Sequence, residues 1–382
     1  MASAFSKRGE MTLREKFSQI SWSLIFWLSI IVTIGVFMLY SAANASFEPW
    51  AIQQGFRFLI CLFMLIIIAL VDIRLVMKYA YLIYGVVFSL LIFVEFQGVV
   101  SGGAKRWIDL GPINIQPSEL MKIALVLALA RYFHSINSDE IGRPILLLPP
   151  FLMLICPVFL ILRQPDLGTA LMTIMGAGAI FFMAGVRLWK FFVITLTGLI
   201  TIPIVWPLLQ EYQKERILIF LNPDRDPLGG GYHILQSQIA LGSGGVFGKG
   251  FLQGTQSQLN FLPEQQTDFI FTIFGEELGF VGGIILIGLY AVVILYGFII
   301  SIRCRNQFGR LLAIGITTTF FLYVFINIAM VMGLVPVVGV PLPLISYGGT
   351  ALLTIMISMG LLMSVHVHKD IHIVFIGGFD SG

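Results

Sequence analysis

The sequence predicts an all-α polytopic membrane protein of about ten transmembrane helices, with one long outer loop between the seventh and eighth spans. Three observations predict it. Of 382 residues, 58% are hydrophobic and 11% charged, whereas a soluble domain carries about a quarter charged residues. Ten apolar windows approach the roughly 20 residues that cross a bilayer as a helix. The basic residues alternate between dense and sparse loops, as they do when a chain has one fixed orientation. Lys+Arg 23 against Asp+Glu 20 leaves a net charge of +3, too small to suggest a nucleic-acid partner. Cys61, Cys156 and Cys304 and the five histidines show no metal-ligand spacing, and no disulfide is expected.

The first element is a basic segment, residues 1–20, in which Leu13, Phe17 and Ile20 recur at helical spacing. That pattern fits a short helix lying on the membrane surface. The apolar run from Ser21 to Ala42 precedes Ala43-Asn44-Ala45, which mimics a cleavage site. At about 21 residues it exceeds a signal-peptide core and reads as a retained first span. Further spans fall at 52–71, 79–97, 116–133, 145–162, 168–185, 191–210, 268–301, 309–334 and 349–366. Residues 21–370 therefore form one membrane domain, with the long outer loop at about 211–267. The tail 371–382 receives no role. With the N-terminus inside, fourteen Lys/Arg lie in cytoplasmic segments, and only Lys105, Arg106 and Arg163 in short outer loops. Both termini are expected in the cytoplasm. The acids run the other way: thirteen of the 20 sit on the outer side or within spans.

In the long loop, Tyr232, Leu235 and Ile239 predict a short amphipathic helix between glycine turns at 229–231 and 242–245. No strand precedes these glycines and no Lys-Ser/Thr follows, so a nucleotide-binding loop is not expected.

Several residues stand out against this background. Trp107, beside Arg106, has the position of an interfacial belt residue, and an exposed aromatic next to a cation also suits stacking on a sugar. Gln116-Pro117-Ser118-Glu119 is an ordinary helix start. Lys122, one turn deeper, is an ionisable group inside an apolar helix, a functional candidate by default. Glu119 and Lys122 are spaced to pair on one face. Arg57, in the second span, either snorkels outward or meets an anionic headgroup. Asp268 opens the eighth span, where a cap or first-turn acid is favoured by the helix dipole. Glu276 returns to within roughly 80° of Asp268 while Glu277 points the opposite way, so at least one of them must face protein or water. Gly275, Gly279 and Gly283 form a small-xxx-small ridge, suited to packing a neighbouring span or a partner's helix. Pro336, Pro341 and Pro343 with Gly339, Gly348 and Gly349 break the backbone before the last span. Such a break is tolerated only where protein or a water-filled cavity covers it, and it reads as a cavity wall.

Arg106-Trp107-Ile108, Gln116 to Lys122, Leu262-Pro263-Glu264, Thr267 to Phe271, Gly275 to Gly279 and Pro341 to Gly349 together resemble the SEDS family (shape, elongation, division and sporulation), in order from about residue 20 to 370. Asn222-Pro223, Gly231-Tyr232-His233 and Gly254 to Ser257, with Val337 to Pro341, resemble its rod-elongation branch; the division branch with the same chemistry is the alternative. The resemblance implies a peptidoglycan glycosyltransferase that polymerises lipid II on the outer face of the cytoplasmic membrane, alongside a class B penicillin-binding transpeptidase with a single span. It implies no organic cofactor and leaves open a divalent cation, Mg or Mn. A flippase for the lipid-linked precursor is the rival, but no internal repeat or midplane coupling charge supports it. A scaffold that only recruits the transpeptidase would leave the outer polar groups without a task.

For an inverting transfer the expected general base is Asp268, at the outer mouth where the sugars must lie, with Glu264 as the alternative. The diphosphate leaving group needs cations rather than a second acid. Lys122, Arg57, Arg106 and a divalent ion all qualify, and the sequence does not rank them. Glu119 and Trp107 complete the expected substrate-binding set.

Overall fold

The computed structural model describes residues 11–371 apart from 102–103, 110, 112–113, 138–139, 209–210, 223–224, 227–229 and 256–264. Ten long helices follow the ten apolar windows: α2 (Trp22–Ala42), α3 (Ala51–Leu70), α4 (Ile73–Gln97), α5 (Pro117–His134), α6 (Pro144–Arg163), α7 (Leu167–Ala184), α8 (Leu188–Val205), α11 (Ile270–Arg303), α12 (Gln307–Val331) and α13 (Gly349–Val367). Eight have the length and hydropathy of membrane spans. The other two are α8 and α5, and α5 carries Glu119, Lys122 and Arg131. Short helices precede and punctuate them: α1 (Leu13–Ser18), α9 (Glu211–Leu221) and α10 (Gly230–Ser243).

Burial sorts the helices into an interior and a rim. The apolar windows of α12 and α13 are 72% buried, against 22% for α3 and α4, and α5 is buried along almost its whole length. Helices α5, α12 and α13 form the middle; α13 packs on α3, α4 on α5, α7 on α12 and α2 on α11. The exposed Leu, Ile and Phe of α3, α4, α6 and α8 form the apolar perimeter that a bilayer requires. With ten crossings the start of the first span and the end of the last lie at the same end of the bundle. Lys16 Nζ donates to the Leu70 carbonyl (3.2 Å), Ser364 Oγ to that of Val71 (2.8 Å), and Arg305 N–H to that of Lys369 (3.0 Å). The site described below lies at the opposite end.

Helix α1 forms where the basic segment predicts it, started by a reciprocal Thr12–Glu15 capping box. None of its residues is buried, and Leu13 is 72% exposed, as a surface-lying helix requires. Among the described residues three short strands accompany the helices: β1 (Val99–Ser101), β2 (Ala104–Asp109) and β3 (Asn114–Ile115), in antiparallel order β1-β2-β3. Strands of two to six residues are too short for an alternation to declare itself, so the sequence shows only a loop.

Prolines inside α6 illustrate how the bundle satisfies its backbone. Pro150 and Pro157 lack the N–H that would bond the carbonyls of Leu146 and Met153, four residues earlier. Tyr132 Oη donates to the Leu146 carbonyl (2.7 Å) and Tyr84 Oη to the Met153 carbonyl (2.9 Å). Two neighbouring helices thus supply the donors that α6 lacks.

The eighth span corrects the reading of its glycine ridge. A straight 34-residue helix would be about 51 Å long, more than the roughly 30 Å of hydrocarbon. Instead α11 breaks at Gly279, with φ 66° and ψ −165°, a conformation essentially reserved for glycine. The break exposes backbone groups that residues 245–250 fill. Lys249 and Gly250 N–H donate to the Glu276 and Glu277 carbonyls, and Phe280 and Val281 N–H donate to those of Gly245 and Val246, all at 3.0 Å. Gly275 and Gly279 are therefore covered by the chain's own 241–250 segment. With Gly283 they line an apolar groove rather than one face of a regular helix.

The expected amphipathic helix is present as α10, but its buried stripe is Ile234, Ser237 and Ala240, while Ile239 is exposed. Small residues decide the face here. Ser237 Oγ is 2.9 Å from Thr272 Oγ1 and donates to the Val331 carbonyl (2.9 Å), which brings α10 against α11 and α12.

Candidate active site

Residues 265–269 form an irregular turn into α11, so its backbone groups need partners elsewhere. The loop between α12 and α13 provides them. Tyr347 N–H donates to the Gln266 carbonyl (2.8 Å) and Ser346 Oγ to the Thr267 carbonyl (2.6 Å). Asn327 Nδ2, on α12, donates to the carbonyls of Asp268 (2.9 Å) and Val340 (2.7 Å). Gln265 Nε2 reaches the Ala42 carbonyl at the end of α2 (3.2 Å). The half-buried Asp268 carboxyl thus stands on backbone fixed by several helices. One of its oxygens lies beside Gly339, where an added Cβ would come within 3.5 Å of Oδ2.

The supporting loop is the broken backbone that the sequence reads as a cavity wall. Pro341 and Pro343 have no N–H and Leu344 has φ +68°, so no helix forms. Tyr290 Oη holds the Pro343 carbonyl (2.6 Å), Gln54 Nε2 holds that of Ser346 (3.1 Å), and Leu342 N–H donates to Ser346 Oγ (2.7 Å). Val340, Leu342, Leu344 and Ile345 are buried. Polar donors from α3 and α11 therefore replace the hydrogen bonds that a helix would make.

The other expected site residues divide into groups. Glu119 and Lys122 pair as their spacing requires, Nζ to Oε1 at 2.7 Å, both almost fully buried. Tyr323 Oη donates to the second oxygen of Glu119, and its ring faces the Lys122 ammonium, 4.3 Å from the centroid. Lys122, Thr319, Thr354 and Ser358 line a cavity of about 20 Å³, room for one water. Arg106 turns instead to Asp166 (3.4 Å). Asp166 also accepts from Gln116 Nε2 (3.0 Å) and caps α7 through Thr169 N–H (3.1 Å). Trp107 is half-buried on β2, paired with Val99. Thr350 Oγ1, at the start of α13, donates to the Asn114 carbonyl of β3 (2.6 Å) and ties that sheet to the same end of the bundle. Arg57 meets the supporting loop: its Cζ is 5.0 Å from the Tyr347 ring centroid and Nη2 is 3.4 Å from Gln53 Oε1. Glu264 lies outside the described residues. Both deep acids face protein: Glu276 accepts from Lys249 Nζ (2.6 Å) and Thr255 N–H (2.9 Å), and Glu277 from Ser41 Oγ.

Asp268 and Arg57 thus flank one clasped loop, while Glu119 and Lys122 form a separate neutral pair. Tyr323, Asn327 and Asp166 are site-building residues that the sequence reading did not select. Asn327 carried a usable signal, a polar amide in the middle of an apolar helix.

The comparisons agree with this architecture. The cell cycle protein family model covering FtsW, RodA and SpoVE matches residues 21–371. Peptidoglycan glycosyltransferase MrdB of Escherichia coli strain K12 is 43% identical over 318 residues, 81% of this chain and 83% of that one. Peptidoglycan glycosyltransferase RodA of Treponema pallidum is 32% identical, over 92% of this chain and 98% of that one. Among solved structures, a peptidoglycan synthase complex coordinating polymerization and crosslinking contains a chain that superposes with a TM-score of 0.78 at 32% identity, covering 92% of this chain and 98% of that one. Rod shape determining protein RodA of Thermus thermophilus gives 0.70 at 28%, covering 92% and 98%. Matched over nearly all of its membrane domain, the chain belongs to the FtsW–RodA–SpoVE cell cycle protein family, the SEDS family that its motifs resemble.

Proposed function

We propose that this chain is a peptidoglycan glycosyltransferase of the rod-elongation branch, which polymerises lipid II with Asp268 as general base. The attacking sugar 4-hydroxyl is a poor nucleophile until its proton leaves, and a carboxylate within hydrogen-bond reach takes that proton as the bond to the anomeric carbon forms. The observation that carries the reading is the way Asp268 is held. Its turn is fixed by four hydrogen bonds from Tyr347, Ser346, Asn327 and Gln265, the kind of rigid placement that positioning chemistry demands.

The orientation deduced from the basic residues puts this end of the bundle at the outer face of the cytoplasmic membrane and both termini in the cytoplasm. A class B penicillin-binding transpeptidase is the expected partner, because a solved relative belongs to a complex that both polymerises and crosslinks. Among the described residues no three His, Cys, Asp or Glu side chains could together hold a metal ion. A Mg²⁺ or Mn²⁺ would accordingly be shared between the substrate diphosphate and one or two carboxylates, as magnesium commonly is.

The test is incubation of the purified chain, alone and with its transpeptidase, with lipid II. Glycan strands support the reading. Movement of lipid II across vesicles without polymer would assign the chain to transport instead.

A further inference from the structure

Three cations compete to hold the leaving diphosphate, and the structure separates them. Lys122 is buried and already neutralised by Glu119 at 2.7 Å, with Tyr323 bonded to the same carboxylate. Arg106 is committed to Asp166. Arg57 differs from both. Among the described residues its one hydrogen bond is to the neutral Gln53 side chain, at 3.4 Å, and no carboxylate lies within ion-pair distance.

Its setting leaves that charge accessible and without a counter-ion among the described residues. Arg57 is the seventh residue of α3, near the start of a span of high hydropathy, and is half-buried, with its Gln53 contact open to the surface. Its guanidinium carbon is 3.5 Å from where a Cβ on Gly349 would stand, at the first residue of α13. A cation there meets the positive end of the helix dipole, so the helix end does not neutralise it. What supports the guanidinium is the face of Tyr347, 5.0 Å from its centroid. Gln53 Oε1 accepts from both Tyr347 Oη and Arg57 Nη2, so the planar fork is held by its neighbours while its charge remains uncompensated.

Tyr347 also links this cation to the acid. Its backbone N–H bonds Gln266, two residues before Asp268, and the adjacent Ser346 bonds Thr267. The cation on α3 and the turn that carries the acid are thus both held against one loop.

Building on the glycosyl-transfer reading, we infer that Arg57 is the diphosphate-binding residue of the donor site and that Lys122 and Arg106 are structural cations. In the transfer, the acceptor 4-hydroxyl oxygen bonds to the donor's anomeric carbon and its proton passes to the Asp268 carboxylate. The bond from that carbon to the diphosphate oxygen breaks, and its electron pair leaves with the polyprenyl diphosphate. Arg57 donates to the diphosphate oxygens through its planar fork, the geometry for which Arg is superior to Lys.

The test measures binding without turnover, using the full chain in nanodiscs with undecaprenyl diphosphate and undecaprenol as paired probes. Wild type is expected to prefer the diphosphate, and Asp268→Asn to keep that preference. Arg57→Gln is expected to weaken diphosphate binding about 10- to 100-fold, the worth of one or two charge-assisted hydrogen bonds, while leaving undecaprenol binding unchanged and flattening the salt dependence. If Arg57→Gln fails to fold, Arg57→Met, which keeps the aliphatic stem, is measured in its place. An unchanged diphosphate preference in the folded variant overturns the assignment of Arg57 and leaves the glycosyl-transfer reading intact. Absence of any diphosphate preference in wild type overturns the binding site itself.

Discussion

Replacing Gly279 by Ala probes the break in α11. Gly279 occupies φ 66°, ψ −165°, where a residue with a side chain pays about 1–3 kcal/mol in strain. The new Cβ would also sit 2.2 Å from the Gly248 nitrogen and 2.8 Å from the Val246 oxygen. Both are backbone atoms and cannot swing aside. Relief requires residues 245–250 to withdraw, which sacrifices some of the four hydrogen bonds that cross the break. At about 1 kcal/mol net each, two lost bonds bring the total to about 3–5 kcal/mol. Gly283, four residues on, is the control, because an added Cβ there meets only Phe271 Cζ at 3.9 Å, an ordinary contact. Equilibrium unfolding of the solubilised protein in mixed SDS micelles measures both. Gly279→Ala is expected to be destabilised by that amount and Gly283→Ala by less than about 0.5 kcal/mol. Equal stabilities for the two variants would refute the reasoning and restore Gly279 to a regular helix.

Two further perturbations follow from buried charge. Glu119→Gln or Lys122→Met alone leaves an uncompensated charge in the middle of the bundle and should cost about 3–5 kcal/mol, while the double variant should recover much of that loss. A double-mutant cycle in the same unfolding assay checks this, and strict additivity would contradict the pairing. His368, just past the end of α13, is buried, with Nδ1 2.8 Å from the Ser364 carbonyl. Burial lowers its pKa below the ordinary value and outweighs the opposing hydrogen bond to the Ser364 carbonyl, with Lys16 and Arg74 acting in the direction of burial and Asp72 against it. The unfolded chain therefore takes up the proton first, so stability is full above about pH 6.5 and declines as pH falls below it. Unfolding measured at pH 7.5 and 5.5 should show that decline in wild type and a smaller one in His368→Gln.

Much of the fold is legible in the sequence because bilayer crossing imposes a long, uniform signal. The ten apolar windows correspond to ten helices within a few residues, and the i,i+3 spacing of Glu119 and Lys122 correctly pairs them. Legibility fails where contact distance in sequence is large or the element is short. Helical spacing treats Gly275, Gly279 and Gly283 as one face, since periodicity cannot reveal that residues 245–250 supply replacement hydrogen bonds across a break. For α10, the largest apolar residues suggest the packing face, yet Ser237 and Ala240 are the residues small enough to approach α11 and α12. The partners of the three candidate cations are likewise set by tertiary contact: Arg106 finds Asp166, 60 positions away, and Arg57 finds Tyr347 from the other end of the chain.

The assignment of Asp268 is tested most directly by turnover and binding measured on the same samples. Wild type, Asp268→Asn and Glu264→Gln are each purified with the transpeptidase and supplied with lipid II, and glycan length and lipid II affinity are recorded. The account predicts that Asp268→Asn folds, retains its partner and binds lipid II, yet makes no glycan, while Glu264→Gln still polymerises. An active Asp268→Asn beside an inactive Glu264→Gln would move the base to Glu264. Polymer from both variants would contradict a carboxylate base at this site.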